Sequence, residues 1–219
     1  MKAASRTVRK IYSVLFRAYG HRHWWPGDSS FEIIVGAILT QNTSWKNVEK
    51  AIARIKTHAA LRPRTLHRMP EKKLTLIIRP AGYFNVKANR IKNFLDFLYN
   101  EYKGSISRMF QRPGHLLRQE LLQVKGIGPE TADSILLYAG GKPFFVVDAY
   151  TKRIFSRHDF FSSESTYEEI QRFFTQHLPA DPRLFNDYHA QIVHIAKTFC
   201  FKTNPDCSSC PLKFLFKKN

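Results

Sequence analysis

Residues 121–135 read LLQVKGIGPETADSI, and the fold turns on how this stretch is understood. An apolar helical run, Leu121–Val124, leads into two glycines one residue apart, Gly126 and Gly128. Glycine accepts backbone angles and close approaches that other residues resist. Pro129 suits the first turn of a helix, where its missing N–H costs nothing. The stretch therefore predicts helix, tight hairpin, helix, with the second helix stopped by Gly140 and Gly141. Such a turn can offer backbone N–H groups, with Lys125 on its other side, to one phosphate of a nucleic acid; it can equally be an ordinary interhelical turn. Glu130 falls in the first turn of the second helix, where the helix dipole favours an acid by ~0.3–1 kcal/mol.

Working outward, helical patterns dominate. SFEIIVGAILT, at 30–40, has Asp28, Ser29 or Ser30 available as its cap, and SWKNVEKAIARI repeats the theme after the polar break QNTS. EKKLTLIIRPAGYF ends a helix at Pro80 and Gly82, and Asn85 is the predicted cap of the helix that follows. Near the N-terminus, Val8, Ile11, Val14, Leu15 and Tyr19 share one helical face. TYEEIQRFFTQHL and NDYHAQIVHIAKTFC predict two more amphipathic helices. No alternating strand pattern is present, and PFFVVDAY reads as a buried loop or a helix entry. The fold class is all-α.

The chain has 219 residues, room for one large domain or two small ones, and its 43% hydrophobic content argues against disorder. Thirty-five Lys and Arg against 17 Asp and Glu leave a net charge of +18, which predicts a polyanionic partner, double-stranded DNA first. A solvated basic surface, a ribosomal protein and a membrane-surface protein are the other readings. No apolar run approaches the ~20 residues of a membrane span, and the basic start lacks a cleavage pattern, so a cytoplasmic location is expected. All three cysteines, Cys200, Cys207 and Cys210, lie close together near the C-terminus. An odd number at this spacing points to a metal or cluster site rather than to disulfides.

Trp24, Trp25 and Pro26 precede the helix 31–40, and Trp45 follows it. These aromatics pack the core or stack on a base extruded from a duplex. An electron-rich slot attracts cationic rings, and N3- or N7-alkylated purines are cationic.

Taken together, LLQVKGIGPETADSIL, FFVVDAYTKRIF, GAILTQNTSWKNVEKAI, AGYFNVKANRI and CFKTNPDCSSCPL resemble the helix–hairpin–helix glycosylase superfamily of endonuclease III over nearly the whole chain. WWPG, with a glutamate after the hairpin, is similar to the bacterial 3-methyladenine DNA glycosylase branch. The resemblance implies a two-lobed helical fold: a six-helix barrel over 30–142 carrying the hairpin, and a second lobe from 1–29 and 143–219. It implies that Asp148 is the catalytic carboxylate. Bifunctional relatives place a nucleophilic lysine eighteen residues before that aspartate, where this chain has Glu130, so a monofunctional enzyme without efficient lyase activity is expected. Gln41 and Tyr83 match loops that enter DNA, Tyr83 standing where relatives often place an aliphatic wedge. The cysteines match three ligands of an iron–sulfur loop whose fourth position is Phe216, leaving a [4Fe–4S] cluster with another ligand, a three-iron cluster or a degenerate loop. The implied function is excision of alkylated purines such as 3-methyladenine in base excision repair, by a monomer at a bacterial nucleoid. A glycosylase for deaminated, mismatched or oxidised bases and a non-catalytic DNA-binding module are the alternatives.

Overall fold

A computed structural model describes residues 2–25 and 27–215. Among these residues every regular element is helical, as the patterning predicts, and no helix is long and apolar enough to cross a membrane. The chain divides into two compact units, Pro26–Gly140 and a discontinuous unit of Met1–Trp25 with Gly141–Asn219.

In the unit Pro26–Gly140, helix α2 (Ser30–Leu39) is apolar on nearly every side and is buried almost throughout. A helix of that composition must take the middle of a core. It packs against α3 (Trp45–His58), α6 (Phe84–Tyr102), α9 (Pro129–Ser134) and the π-helical turn Ile135–Ala139. Of the three candidate caps, Ser29 is used: its hydroxyl accepts the Glu32 N–H at 3.2 Å. The second hairpin helix is not uniformly α-helical. Ile135, Leu136 and Leu137 are all buried, and the chain forms a π turn there before stopping at Gly140.

The remaining helices, α4 (Pro63–Arg68), α5 (Glu71–Ile77), α7 (Ile106–Gln111) and α8 (Gly114–Gln123), are short. Lys92 of α6 gathers the end of α4: its ammonium donates to the carbonyls of Leu66 and His67, each at 2.7 Å, and to that of Met69. These are carbonyls that a helix end leaves without intrahelical donors.

Asn85 does not cap α6. The cap is Tyr83, in a left-handed conformation (φ 45°, ψ 35°), and the Lys87 N–H already bonds the Tyr83 carbonyl. The helix begins early because the preceding 3-10 turn Arg79–Ala81 is held from below. Lys87, 1% exposed, donates its ammonium to the Ala81 carbonyl at 2.7 Å.

In the other unit, α1 (Lys2–Tyr19) buries Val8, Ile11 and Leu15, while Val14 and Tyr19 stay half-buried at the edge of that face. It packs on α11 (Tyr167–His177) and α12 (Pro182–Thr198), and α12 packs on α10 (Ala149–Arg157). The core is aromatic: Phe145 stacks on Phe174 at 3.9 Å between centroids, with Phe185 and Tyr188 edge-on to Phe145. Residues 143–148 of PFFVVDAY form an irregular segment that pairs with no strand and leads into α10, and Phe145, Val146 and Val147 are all buried. Side chains of α11 satisfy its backbone instead, Gln171 donating to the Phe145 carbonyl and Tyr167 accepting from the Val147 N–H.

Burial, helped by the nearby Arg90 charge, pushes the Lys87 ammonium down to about 8. Between about pH 8 and its ordinary value of 10.5 the unfolded chain binds more protons than the folded one at this site, so stability rises with pH across that window. In urea titrations the wild type should therefore gain on the order of 2 kcal/mol over Lys87→Met between about pH 8 and about pH 10. Parallel stability profiles would contradict this.

Candidate active site and nucleic-acid interface

The hairpin is built by α8 and α9. Gly126 lies in the left-handed region at φ 94°, and a Cβ there would meet Arg90 Cγ at 2.4 Å. Both the turn and the close approach of α6 thus require glycine. Gly128 differs. It is the extended cap residue before Pro129, with φ −93°, and a Cβ there would meet nothing within 4 Å. Nothing within the protein demands glycine at 128. Lys125 and Gly128 are exposed, as is Glu130 in the first turn of α9.

The hairpin is braced from behind. Asn93 of α6 donates to the Lys125 carbonyl at 2.9 Å. Gln41 donates to the Gly126 carbonyl at 3.1 Å and to the Thr131 hydroxyl at 2.8 Å, while its own oxygen accepts from Arg90. The Gln41 side chain thus lies along the hairpin rather than reaching from the surface. Beneath it, buried Asp133 forms a two-pronged pair with Arg118 at 2.7 and 3.0 Å. Tyr83, in the same unit, is 71% exposed at the left-handed start of α6. Trp45 opens α3, its indole N–H donating to Glu49 at 2.9 Å.

Asp148, Trp24, Trp25 and the three cysteines belong to the other unit. Asp148 caps α10, Oδ1 accepting the Thr151 N–H at 2.7 Å and the Thr151 hydroxyl at 2.9 Å. Its second oxygen, Oδ2, lies 3.4 Å from Nε2 of His189, and the carboxylate side chain is 14% exposed. Burial pushes the carboxyl upward, but His189 and the two Thr151 bonds together outweigh it and hold Asp148 below the ordinary carboxylate range. A group both shielded and ionised is suited to meeting a developing positive charge.

Trp24 and Trp25 sit on an irregular segment, residues 20–25, tied to α12. Buried Asp187 accepts the Arg22 N–H at 2.7 Å and the Tyr12 hydroxyl at 3.0 Å. Gln191 donates to the Gly20 carbonyl at 2.7 Å, and His194 meets the Tyr19 ring edge-on. The two indoles are half-buried and meet edge to face at 75°, so the pair does not form two parallel walls; a stacked base would lie against one face only. Pro26 and Phe216 lie outside the described residues.

Cys200, Cys207 and Cys210 line a small pocket with Ile154, Ile195 and Leu212. Arg157 donates to Cys200 Sγ at 3.0 Å, and the Leu212 N–H to Cys210 Sγ at 3.4 Å. Among the described residues no group of three or more His, Cys, Asp or Glu could hold a metal ion. The donor chemistry (thiols in an apolar pocket, with N–H and guanidinium groups aimed at sulfur) suits a cluster better than a single ion.

Sequence reading misses His189, Thr151, Arg90, Asn93 and Arg118. Each acts through a partner distant in sequence or one helical turn away, and none stands in a motif of its own.

A family model for HhH-GPD superfamily base excision DNA repair proteins matches residues 35–180. A protein described as a DNA repair glycosylase from Methanocaldococcus jannaschii is 47% identical over 208 residues, covering 94% of each chain. A thymine/uracil-DNA glycosylase from Pyrobaculum aerophilum is 26% identical over 203 residues, covering 90% of this chain and 84% of its own. Among solved structures, the H. pylori 3-methyladenine DNA glycosylase MagIII bound to 1,N6-ethenoadenine is similar with a TM-score of 0.75 at 27% identity, over 89% of this chain and 97% of that one.

The two hairpin glycines separate by experiment. Gly126→Ala should cost about 1–3 kcal/mol of stability through its left-handed backbone and the Arg90 contact. Gly128→Ala should melt close to the wild type. Equal losses in thermal melts would show that the fold needs both.

Proposed function

Since the chain belongs to the HhH-GPD superfamily of base excision DNA repair proteins, and is thereby a DNA glycosylase, we propose that it excises alkylated purines such as 3-methyladenine from double-stranded DNA without efficiently cutting the strand. The observation that carries this reading is Asp148, held ionised at the start of α10 with Oδ1 committed to Thr151. As the bond from C1′ to the base breaks, the base leaves with the bonding electrons and positive charge grows on the sugar. The carboxylate stabilises that charge, and water completes the hydrolysis by adding to C1′ and losing a proton.

Glu130 supports the monofunctional half of the proposal. A carboxylate cannot form the imine through which a lysine would cleave the strand. It would also add attraction for a cationic ring. Alkylation makes a purine cationic and weakens its glycosidic bond, so stacking on the aromatic Trp24–Trp25 pair with modest catalysis suffices. The likeness to MagIII agrees with this substrate class.

For the duplex, the net charge of +18 supplies general attraction. The hairpin N–H groups of Gly126 and Gly128 with Lys125 take one phosphate. The space at Gly128, which no protein atom uses, lets the backbone approach closely. Tyr83 enters the stack, and Gln41 follows by exchanging its hairpin bonds for bonds to DNA. An iron–sulfur cluster would be held by Cys200, Cys207 and Cys210 and would serve structurally, shaping a basic loop against the backbone. The enzyme acts as a monomer on the chromosome in the cytoplasm.

The Pyrobaculum relative favours one other substrate class, uracil and mismatched thymine. A panel of duplexes carrying 3-methyladenine, 7-methylguanine, hypoxanthine, uracil or mismatched thymine decides between the two, the alkylated purines being expected to react fastest. Asp148→Asn should abolish excision, at least about 100-fold, with DNA affinity largely kept. Borohydride should trap little or no covalent adduct, and robust trapping would overturn the monofunctional reading. Iron and acid-labile sulfide in aerobically purified protein, with broad visible absorption lost in Cys200→Ser, test the cluster independently of activity.

A further inference from the structure

Asp148 is secured by its own helix on one side alone. Thr151 takes Oδ1 twice, leaving Oδ2 as the oxygen able to face a reacting sugar. Against that oxygen α12 sets Nε2 of His189, at 3.4 Å, on a side chain 6% exposed. We propose that His189 is a positioning residue for the glycosylase, presenting Nε2 to Oδ2 of Asp148 so that the carboxylate stays turned and ionised for the sugar. The proposal rests on the reading of Asp148 as the carboxylate that meets the sugar.

Helix geometry explains why this histidine is available. Two residues on an α-helix are separated by about 200°, so His189 and Asp187 leave α12 on opposite sides. Asp187 is spent on Arg22 and Tyr12, and Gln191 on Gly20. His189 is left to the side where α10 packs.

Several other charged groups on the elements around Asp148 are directed elsewhere. Lys152 donates to the Ser165 carbonyl at 3.0 Å. Arg153 donates to the Cys200 and Ala196 carbonyls, and Arg157 to Cys200 Sγ. On α12, His194 faces Arg22, and Lys197 lies over the Tyr150 ring. On α11, Glu169 is taken by the Thr166 cap. Burial is the largest influence on Asp148 and acts against ionisation; the opposing influences are His189 and Thr151 alone. Removing His189 leaves only the Thr151 bonds to oppose burial, so the carboxylate takes a proton at higher pH.

The test is single-turnover excision by the full-length protein from about pH 3 to about pH 9, a window that includes the acid limb of a carboxylate held low. It uses the best lesion duplex of the panel and compares wild type, His189→Leu, His189→Gln and Asp148→Asn. In His189→Leu the acid limb should move up by about one pH unit, with about a tenfold loss of rate below it and a smaller loss above. His189→Gln, whose amide N–H can reach the same oxygen, should recover much of the rate at high pH while keeping part of the acid-limb shift. DNA affinity and circular dichroism should match the wild type in both. An acid limb that coincides with the wild type's, with the rate unchanged or lowered evenly at every pH, would reduce His189 to a packing residue. If His189→Leu does not fold, the acid limb of His189→Gln decides in the same way. Excision retained by Asp148→Asn would instead overturn the role of Asp148 itself, a result separate from the pH profile of the histidine variants.

Discussion

A helical protein has no sheet to occupy the backbone groups of its irregular segments, so side chains must do it. That constraint runs through both units. Lys87 holds the Ala81 carbonyl, Gln41 and Asn93 hold the carbonyls of Gly126 and Lys125, and Asp187 takes the N–H of Arg22. Gln171 secures Phe145, and Arg153 secures Cys200. The segments fixed in this way are those given roles on DNA: the Tyr83 loop, the hairpin, the tryptophan segment, the entry to Asp148 and the cysteine loop. Loops positioned by a rigid scaffold are where binding and chemistry concentrate.

Side-chain bonds also account for the buried and half-buried charges. Asp133 is matched by Arg118, and Lys92 by three carbonyls at the end of α4. Asp148 joins this group with one difference. Its bonds to Thr151 serve the fold by capping α10, and they also fix an anion in a shielded place. Capping and catalysis are not competing explanations for this residue, because the cap orients the carboxylate.

Several features were legible in local sequence because their causes are local. The apolar run of 30–40 with its serine cap, the helical face of Val8, Ile11 and Leu15, and the turn at Gly126 each follow from neighbouring residues. The errors also have local causes. Asn85 is a better capping residue than Tyr83, yet α6 starts at Tyr83 because a lysine one turn further on holds the preceding carbonyl.

By itself the sequence determined the helical class, the positive charge, the hairpin and the identity of the residue types at the motif positions, since these depend on spacing and composition. It also determined that a carboxylate, not an amine, follows the hairpin at residue 130. Only the tertiary structure decided that His189 stands against Asp148, that Gln41 lies along the hairpin and that Trp24 meets Trp25 edge to face. Those outcomes depend on which face of one helix meets another, and side chains distant in sequence become neighbours only after the helices pack.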